Sequence, residues 1–195
     1  GSTFKLFVYT EAMEQGLTPC DKRRDEFFSM EVWDKAQKKN VIWSPTNANG
    51  TFSNESMPLK TAFAQSINSV AVRLGQEVGI SHIAETAHNM GIVSPLDETP
   101  SLALGSSDVN LLELTNAYCT IAANGKTHPD PILITRIEDR KGNVIYTAPT
   151  EQRQSISERA AVLMQTMLMA GLTEHYGTSM ALNRYVGNYH DTDFG

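Results

Sequence analysis

The chain has 195 residues, of which 41% are hydrophobic and 19% are charged, and this is the composition of a globular protein with one sizeable core. A net charge of -6, with no basic cluster beyond Lys22–Arg24 and Lys38–Lys39, argues against nucleic acid as a partner. No segment approaches the roughly 18 consecutive apolar residues of a membrane span, and the N-terminus does not resemble a signal peptide. We therefore expect these residues neither to cross a membrane nor to direct export.

The first predicted element is a helix of about 14 residues that begins at Ser2 and ends at Gly16. Ser2 and Lys5 are about one helical turn apart and share one face. A serine becomes a good nucleophile when an adjacent base takes its proton, and lysine can be that base when its pKa is lowered. An N-cap serine beside a solvated lysine would give the same pattern, as would an expression scar at Gly1-Ser2.

Segment 17–26 is polar and predicts a surface connection, after which Phe27–Trp33 and Val41–Trp43 predict a hairpin or two extended pieces. A loop rich in Pro, Asn and Gly follows up to Glu55. Ser56 is then the predicted N-cap of a short helix that runs through Gln65.

Two further helices are predicted, one over 70–78 that ends at Gly79 and one that is capped by Ser81 and ends at Gly91. After a loop over 94–108, Asp108 is the predicted cap of a mostly apolar helix over 111–123, which we expect to be central.

The segments 132–138 and 144–146 predict the clearest β-hairpin of the chain. Ser155 and Glu158 have capping-box spacing and predict the start of another helix, and a short helical piece is expected to end at Asn183. The remaining segment, 185–195, carries no terminating signal.

The segment Ser66-Ile67-Asn68 connects two predicted helices, where a tight connection can direct both polar side chains at one point. An acyl-transfer site built on Ser2 and Lys5 needs a second wall of this kind, with a hydroxyl to relay a proton and an amide to orient the lysine and the substrate. The alternative is a helix cap, because Ser and Asn both favour that role.

Two other groups of residues could suggest a site but favour an ordinary structural interpretation. Cys20 and Cys119 are interpreted as unpaired thiols, since Cys20 lies in a polar turn and Cys119 in an apolar helical run. Polar residues near the C-terminus (His190, Asp191 and Asp193) and two helical histidines (His82 and His88) could suggest a metal site, but solvated surface positions explain both sets.

Five motifs occur in the same order as in one known family. They are Gly1-Ser-Thr-Phe-Lys5, Trp43-Ser-Pro-Thr-Asn47, Ala64-Gln-Ser-Ile-Asn68 followed by Val70-Ala-Val72, Leu104-Gly-Ser-Ser-Asp108 and Leu112-Glu-Leu-Thr-Asn-Ala-Tyr118. With them the chain resembles, over nearly its whole length, the transpeptidase domain of class A (bifunctional) penicillin-binding proteins.

The resemblance implies a role for each residue of the two polar motifs. Ser2 would be the acylated nucleophile, Lys5 its base, Ser66 a proton shuttle and Asn68 a contact to the substrate amide. The implied enzyme is a serine-type D-Ala-D-Ala transpeptidase that cross-links peptidoglycan stem peptides and is inhibited by β-lactams. Acyl transfer on serine needs no metal and no organic cofactor.

The family's third motif, Lys-Thr-Gly, is not present, because Lys126-Thr127 is followed by His128. Family order would place that motif just after Gly195. We therefore expect residues 1–195 to be a partial transpeptidase domain, with no separate second domain and with doubtful activity of its own. The implied fold is α+β, mostly helical, of the penicillin-binding protein and β-lactamase type, and it lacks part of the antiparallel sheet.

Two alternatives remain open at this point. One is a β-lactam hydrolase or sensor, for which Glu113 could suggest a deacylating carboxylate, and the other is a non-catalytic helical interaction module. If the resemblance holds, the parent protein would carry a membrane anchor and a glycosyltransferase domain. It would then act on the outer face of the bacterial cytoplasmic membrane, anchored through a segment outside these residues.

Overall fold

The computed structural model describes residues 1–128 and 131–182, and within them the chain forms six α-helices. The helices are α1 (Lys5–Glu14), α2 (Leu59–Ala64), α3 (Asn68–Val78), α4 (Ile80–Asn89), α5 (Leu111–Ala122) and α6 (Glu158–Thr173). Short 3-10 helices cover Ser2–Phe4, Pro100–Leu104 and Met180–Leu182.

The described strands form four separate antiparallel pairs rather than one sheet. The pairs are β1 (Lys22–Arg24) with β4 (Ser56–Pro58), β2 (Met30–Asp34) with β3 (Lys39–Trp43), β5 (Lys126–Thr127) with β8 (Arg153–Gln154), and β6 (Arg136–Glu138) with β7 (Val144–Thr147). The mostly helical α+β character predicted from the sequence is confirmed.

Helix α1 occupies the centre of the molecule. Eight of its ten residues are buried, namely Lys5, Leu6, Phe7, Val8, Tyr9, Thr10, Ala12 and Met13. A helix that is apolar on nearly all sides needs neighbours on all sides, and α1 packs against α3, α4 and α6. The predicted opening helix is confirmed, and it is buried on nearly all sides.

The prediction that the helix over 111–123 is central is wrong. Leu111 and Leu112 at the start of α5 are 78% and 58% exposed, and only Ala117, Thr120 and Ile121 are buried. Apolar composition favours burial without saying which helix takes the central position, and α1 already fills it.

Two predicted N-caps are wrong because the helix begins next to a glycine or a proline instead. Ser56 lies in β4, and α2 begins at Leu59 directly after Pro58. Ser81 lies inside α4, which begins at Ile80 after Gly79.

Two other caps are displaced by two residues from the predicted ones. Asn110, not Asp108, caps α5, and its Oδ1 accepts from the Leu112 N–H at 2.8 Å. Ser157, not Ser155, caps α6, and its hydroxyl accepts from the Ala160 N–H at 3.1 Å. In each segment the observed cap lies two residues after the predicted one, at the position where the backbone turns into the helix.

Segment 17–26 contains β1, so the prediction of a plain surface connection was wrong. Lys22 pairs with Pro58 and Arg24 with Ser56, at the start of the next helical region. Three charged residues show no alternation, and the partner strand is far away in the sequence, so no local pattern could indicate this pair.

Both predicted hairpins are confirmed. In β2–β3, Val32 pairs with Val41, and in β6–β7, Ile137 pairs with Tyr146 beside a bulge. Every residue of β6 and β7 is exposed.

Cys20 and Cys119 are both free, so the prediction of two unpaired thiols is confirmed, and both are exposed. In the described part of the chain, no helix has both the length and the apolar character that a membrane span requires.

The predicted helical piece near Asn183 begins as the 3-10 helix over 180–182, whereas Asn183 itself and 185–195 lie outside the described residues.

Candidate active site

The N-terminus of α1 presents Ser2 and Lys5 about one turn apart. Ser2 lies in the 3-10 turn that leads into α1, and the Lys5 N–H donates to the Ser2 carbonyl, so that turn and helix are continuous. Ser2 is exposed, whereas Lys5 is only 2% exposed. Among the described residues the Ser2 side chain has no hydrogen-bond partner, so the structure does not join the serine to the lysine directly.

The Lys5 amine meets the segment that connects α2 and α3. Its Nζ donates to the Ser66 carbonyl at 2.7 Å, to the Ser66 hydroxyl at 2.9 Å and to Asn68 Oδ1 at 2.6 Å. An ammonium has three N–H donors, so all three are used. The structure therefore brings together three of the four predicted site residues, with the fourth one turn away.

Burial lowers the pKa of Lys5 to about 8, because the charged form loses hydration there. A group with that pKa is about one-tenth neutral at pH 7, which is hundreds of times more than an ordinary lysine. Within residues 1–128 and 131–182 no carboxylate forms an ion pair with Lys5. The site therefore holds an amine that can accept a proton near neutral pH.

Ser66 is held in a left-handed backbone conformation, with a φ of 56°. Its N–H donates to the Phe63 carbonyl at 2.9 Å and the Ile67 N–H to the Ala62 carbonyl at 2.9 Å, which is the Schellman pattern at the end of α2. Glycine normally takes this position, since a side chain costs about 1 kcal/mol there. The tight turn places both the carbonyl and the hydroxyl of Ser66 at Lys5.

Asn68 is the first residue of α3, and both ends of its side-chain amide are bonded. Its Oδ1 accepts from Lys5, and its Nδ2 donates to the Thr46 carbonyl at 2.7 Å. A flipped amide would set the Nδ2 group against the ammonium and the oxygen against a carbonyl. The two bonds therefore fix the orientation of the amide.

A buried polar cluster lies behind Asn68. Asn47 Oδ1 accepts from the backbone N–H groups of Asn68 and Ser69 at 3.0 and 3.1 Å, which caps α3 from a distant loop. Asn47 Nδ2 donates to Asp25 Oδ1 at 2.7 Å, and the Ser69 hydroxyl donates to the same oxygen at 2.6 Å.

Asp25 is 3% exposed. Burial alone would raise its pKa, but hydrogen bonds from Ser53, Ser69 and Asn47 outweigh this effect and lower the pKa below its ordinary value. The cluster therefore contains a stable buried carboxylate.

The rim around Ser2 is built by two other motifs of the sequence. The Gly1 nitrogen donates to the Gly105 carbonyl at 2.7 Å, and Gly105 has a φ of +71°, where an added Cβ would lie 2.3 Å from the Gly1 carbonyl oxygen. The Tyr118 hydroxyl donates to the Thr3 carbonyl at 2.9 Å. Burial raises the pKa of Tyr118 to about 12, so this donor stays protonated at neutral pH.

Glu113, considered above as a deacylating carboxylate, serves as a brace for a loop. Its Oε2 accepts from the N–H groups of Val93 and Ser94 and from the Ser94 hydroxyl, at 2.8 to 3.1 Å. Burial opposes ionisation, yet these bonds lower the pKa of Glu113 below its ordinary value. This oxygen is occupied by structural contacts.

The residues that could have suggested a metal site do not form one where the structure describes them. His82 and His88 each bond a backbone carbonyl near their own helix, those of Val78 and Ile92. In the described ranges no three His, Cys, Asp or Glu side chains cluster as metal ligands. His190, Asp191 and Asp193 lie outside the described residues.

Sequence reasoning missed Asp25 and gave Asn47 no role. Asn47 stood in a motif that carried the resemblance, which was a usable signal. Asp25 lies in a segment interpreted as exposed, and only the fold shows that it is buried.

Comparison with known proteins shows the family of the chain. Residues 1–187 match the family described as the penicillin binding protein transpeptidase domain. The chain belongs to this family.

Individual relatives agree with this assignment. The chain is 32% identical over 195 residues to penicillin-binding protein 2D of Bacillus subtilis, covering 96% of this chain and 27% of the relative. It is 34% identical over 166 residues to penicillin-binding protein 1A of Pseudomonas aeruginosa, covering 83% and 19%.

A solved structure gives the same result. The crystal structure of penicillin-binding protein 1A from Haemophilus influenzae superposes with a TM-score of 0.79 at 25% identity, covering 94% of this chain and 32% of that one. The resemblance to class A transpeptidase domains, and with it the fold class, is confirmed. The chain spans about a quarter of the length of the Bacillus relative.

Proposed function

We propose that this penicillin-binding domain carries the acyl-transfer site of a peptidoglycan D,D-transpeptidase, with Ser2 as nucleophile. The observation that carries the proposal is the buried Lys5 amine, which is bonded to both Ser66 and Asn68. Acyl transfer to a serine needs a neutral base close to it, and the lowered pKa of Lys5 supplies one.

In the first step the Ser2 oxygen forms a bond to the carbonyl carbon of the penultimate D-alanine of a stem peptide, and its proton passes to Lys5. The peptide bond then breaks, and the terminal D-alanine leaves as an amine that takes up this proton. Ser66, whose hydroxyl is 2.9 Å from Lys5 Nζ, is suited to relay the proton between Lys5 and the leaving nitrogen.

In the second step the amine of a neighbouring stem peptide attacks the ester. A new peptide bond forms between the two stem peptides, the ester bond breaks, and Ser2 regains its proton. The free backbone N–H at Ser2, at the beginning of the first helical turn, would donate to the oxyanion of both tetrahedral intermediates. Asn68 would contact the substrate amide.

A β-lactam enters the same chemistry as a mimic of the donor peptide. Its ring opens when Ser2 attacks, and the product is a stable ester because the leaving nitrogen stays attached. Support for this ligand comes from the family match, since the family is described by penicillin binding.

We further infer that the full-length protein acts on the outer face of the bacterial cytoplasmic membrane, where its substrate is located, through an anchor outside these residues.

The test is the intact mass of the protein after incubation with a penicillin, measured for residues 1–195 and for a form extended at the C-terminus. Ser2→Ala is the variant, and Thr3→Ala, which removes the adjacent exposed hydroxyl, is the matched control. We expect one added acyl group, which Ser2→Ala abolishes and Thr3→Ala keeps.

The outcomes separate the alternatives. Acylation of the extended form alone would mean that residues beyond 195 complete the site. Repeated turnover of the β-lactam would favour a hydrolase, and a folded extended form without any added mass would favour a non-catalytic interaction module.

A further inference from the structure

Asn47 uses the whole hydrogen-bonding capacity of its side-chain amide. Its Oδ1 accepts from the N–H groups of Asn68 and Ser69, and its Nδ2 donates to Asp25 Oδ1 and to the Thr51 carbonyl at 2.8 Å. A flip of this amide would set donor against donor twice and oxygen against oxygen twice. Asn47 therefore has one orientation only.

Asp25 is one of the partners that fix this orientation. Its backbone extends the β1–β4 pairing, with Asp25 N–H to the Glu55 carbonyl at 3.0 Å and Asn54 N–H to the Asp25 carbonyl at 2.8 Å. The carboxylate can only accept, and it also accepts from the Ser53 N–H at 2.8 Å. Each partner must therefore turn a donor toward it, and Asn47 turns its Nδ2.

The orientation of Asn47 affects the site because the next residue toward the N-terminus, Thr46, contacts Asn68. With Asn47 anchored on α3, the carbonyl of Thr46 meets Asn68 Nδ2 at 2.7 Å. The other end of the Asn68 amide, Oδ1, is then left for Lys5 at 2.6 Å.

We propose that Asp25 and Asn47 are positioning residues of the acyl-transfer site, which fix the Asn68 amide with its oxygen toward Lys5. The proposal rests on the proposed function for its catalytic meaning, but its geometry stands apart from it. A cluster that merely capped α3 would stabilise the fold without any effect on Lys5. Substitution of a positioning residue must also change the pKa of the Lys5 amine.

The test variant is Asn47→Ala, which leaves the net charge unchanged, so that long-range electrostatics do not alter Lys5. The matched control is Asn49→Ala in the same loop, because the Asn49 side chain accepts only from the Thr51 N–H at 3.1 Å. The first measurement is the titration of Lys5 by NMR of its labelled Cε. The second is amide hydrogen exchange at Asn68 and Ser69.

In Asn47→Ala we expect the pKa of Lys5 to fall by about half a unit or more, since the ammonium loses a fixed oxygen acceptor. Exchange at the two amides should become faster by about tenfold or more, because both lose their acceptor. Asn49→Ala should change neither. An unchanged Lys5 titration in a folded Asn47→Ala protein would overturn the proposal.

Two further variants keep the proposal open to refutation. If Asn47→Ala does not fold, Asn47→Ser retains one hydroxyl acceptor and must shift both measurements in the same direction. Asp25→Asn must accelerate exchange at Asn68 and Ser69 even though it does not contact the Asn68 N–H, and unchanged exchange would refute the role of Asp25.

Acylation of Ser2 by a penicillin separates this proposal from the proposed function, because neither NMR measurement depends on it. In the full-length protein, Asn47→Ala should lower the acylation rate by about tenfold or more. If Asn47→Ala shifts the Lys5 titration but the wild-type full-length protein is never acylated, the positioning role stands and the proposed function is refuted. Acylation at the wild-type rate in Asn47→Ala would refute the positioning.

Discussion

The corner formed by Lys5, Ser66 and Asn68 and the β6–β7 hairpin are both held by hydrogen bonds, but the bonds differ in their distance along the sequence. Lys5 bonds residues 61 and 63 positions away, whereas Asp139 in the hairpin turn bonds the N–H groups of Lys141 and Asn143, two and four positions away. The corner is built around a buried helix, whereas the hairpin strands are exposed throughout. The hydrogen bonds of the corner therefore form only when distant segments pack together, whereas those of the hairpin form between residues close in the sequence.

The largest expected effect tests this difference through packing. Phe7 on α1 is fully buried, whereas Ile145 in β7 is 66% exposed. We expect Phe7→Ala to lower the free energy of unfolding by about 3–5 kcal/mol, because it removes buried surface and leaves a cavity. Ile145→Ala should change it by no more than about 0.5 kcal/mol. Denaturant unfolding of both variants checks this, and equal losses would contradict the comparison.

The pH dependence of acylation tests the corner alone. If neutral Lys5 is the base, the acylation rate should rise about fiftyfold from pH 6 to pH 8 and level off above the pKa of about 8. The rate rises with pH because the neutral fraction of the amine rises with pH. Burial lowers the pKa of Lys5 and so brings this rise into the range between pH 6 and pH 8. The rate of penicillin acylation across this range is the measurement. A flat profile would exclude Lys5 as the base.

A smaller effect is expected at Ser66, where the backbone is left-handed. Ser66→Gly should make the protein about 1 kcal/mol more stable than Ser66→Ala, since only glycine adopts this φ without strain. Both variants lack the hydroxyl, so both should lose acylation while their stabilities differ. Thermal unfolding of the two Ser66 variants checks the prediction. Equal stabilities would mean that Ser66 carries no strain.

The smallest effect should be confined to the hairpin. Asp139 accepts from the Lys141 and Asn143 N–H groups and from the Asn143 side chain, and these bonds lower its pKa below the ordinary value. Asp139→Ala should accelerate amide exchange in β6 and β7 and leave the midpoint of global unfolding nearly unchanged. The Lys5 titration should not move, and a shift there would show that the two regions are coupled.

The same contrast explains what could be predicted from the sequence. The β2–β3 and β6–β7 hairpins and the presence of the long helices follow from local patterns, and these predictions are confirmed. The pairing of β1 with β4 and the burial of Asp25 depend on residues 32 to 44 positions apart, for which no local pattern exists. The predicted helix caps were wrong for a different reason: α2 and α4 begin directly after Pro58 and Gly79, and the caps of α5 and α6 lie two residues after the predicted ones.

At the site, the sequence predicted the residues but not the conformation of the backbone. The types and spacing of Ser2, Lys5, Ser66 and Asn68 predicted which residues matter only because they matched a known family, since spacing alone allowed helix caps. The left-handed turn at Ser66 had no sequence signal, because glycine is the residue expected there. The catalytic roles of these four residues stay predictions until Ser2 is acylated.

The three bonds of the Lys5 amine have a further consequence. A neutral amine has two N–H groups and one lone pair, so one of the three bonds must reverse its polarity when the proton leaves. The Ser66 carbonyl and Asn68 Oδ1 can only accept, so the bond that reverses is the one to the Ser66 hydroxyl. Loss of the Lys5 proton thus rotates the hydroxyl hydrogen of Ser66 toward Nζ and frees the hydroxyl lone pairs for a new donor. The direction of the Ser66 O–H bond thus depends on whether Lys5 is charged.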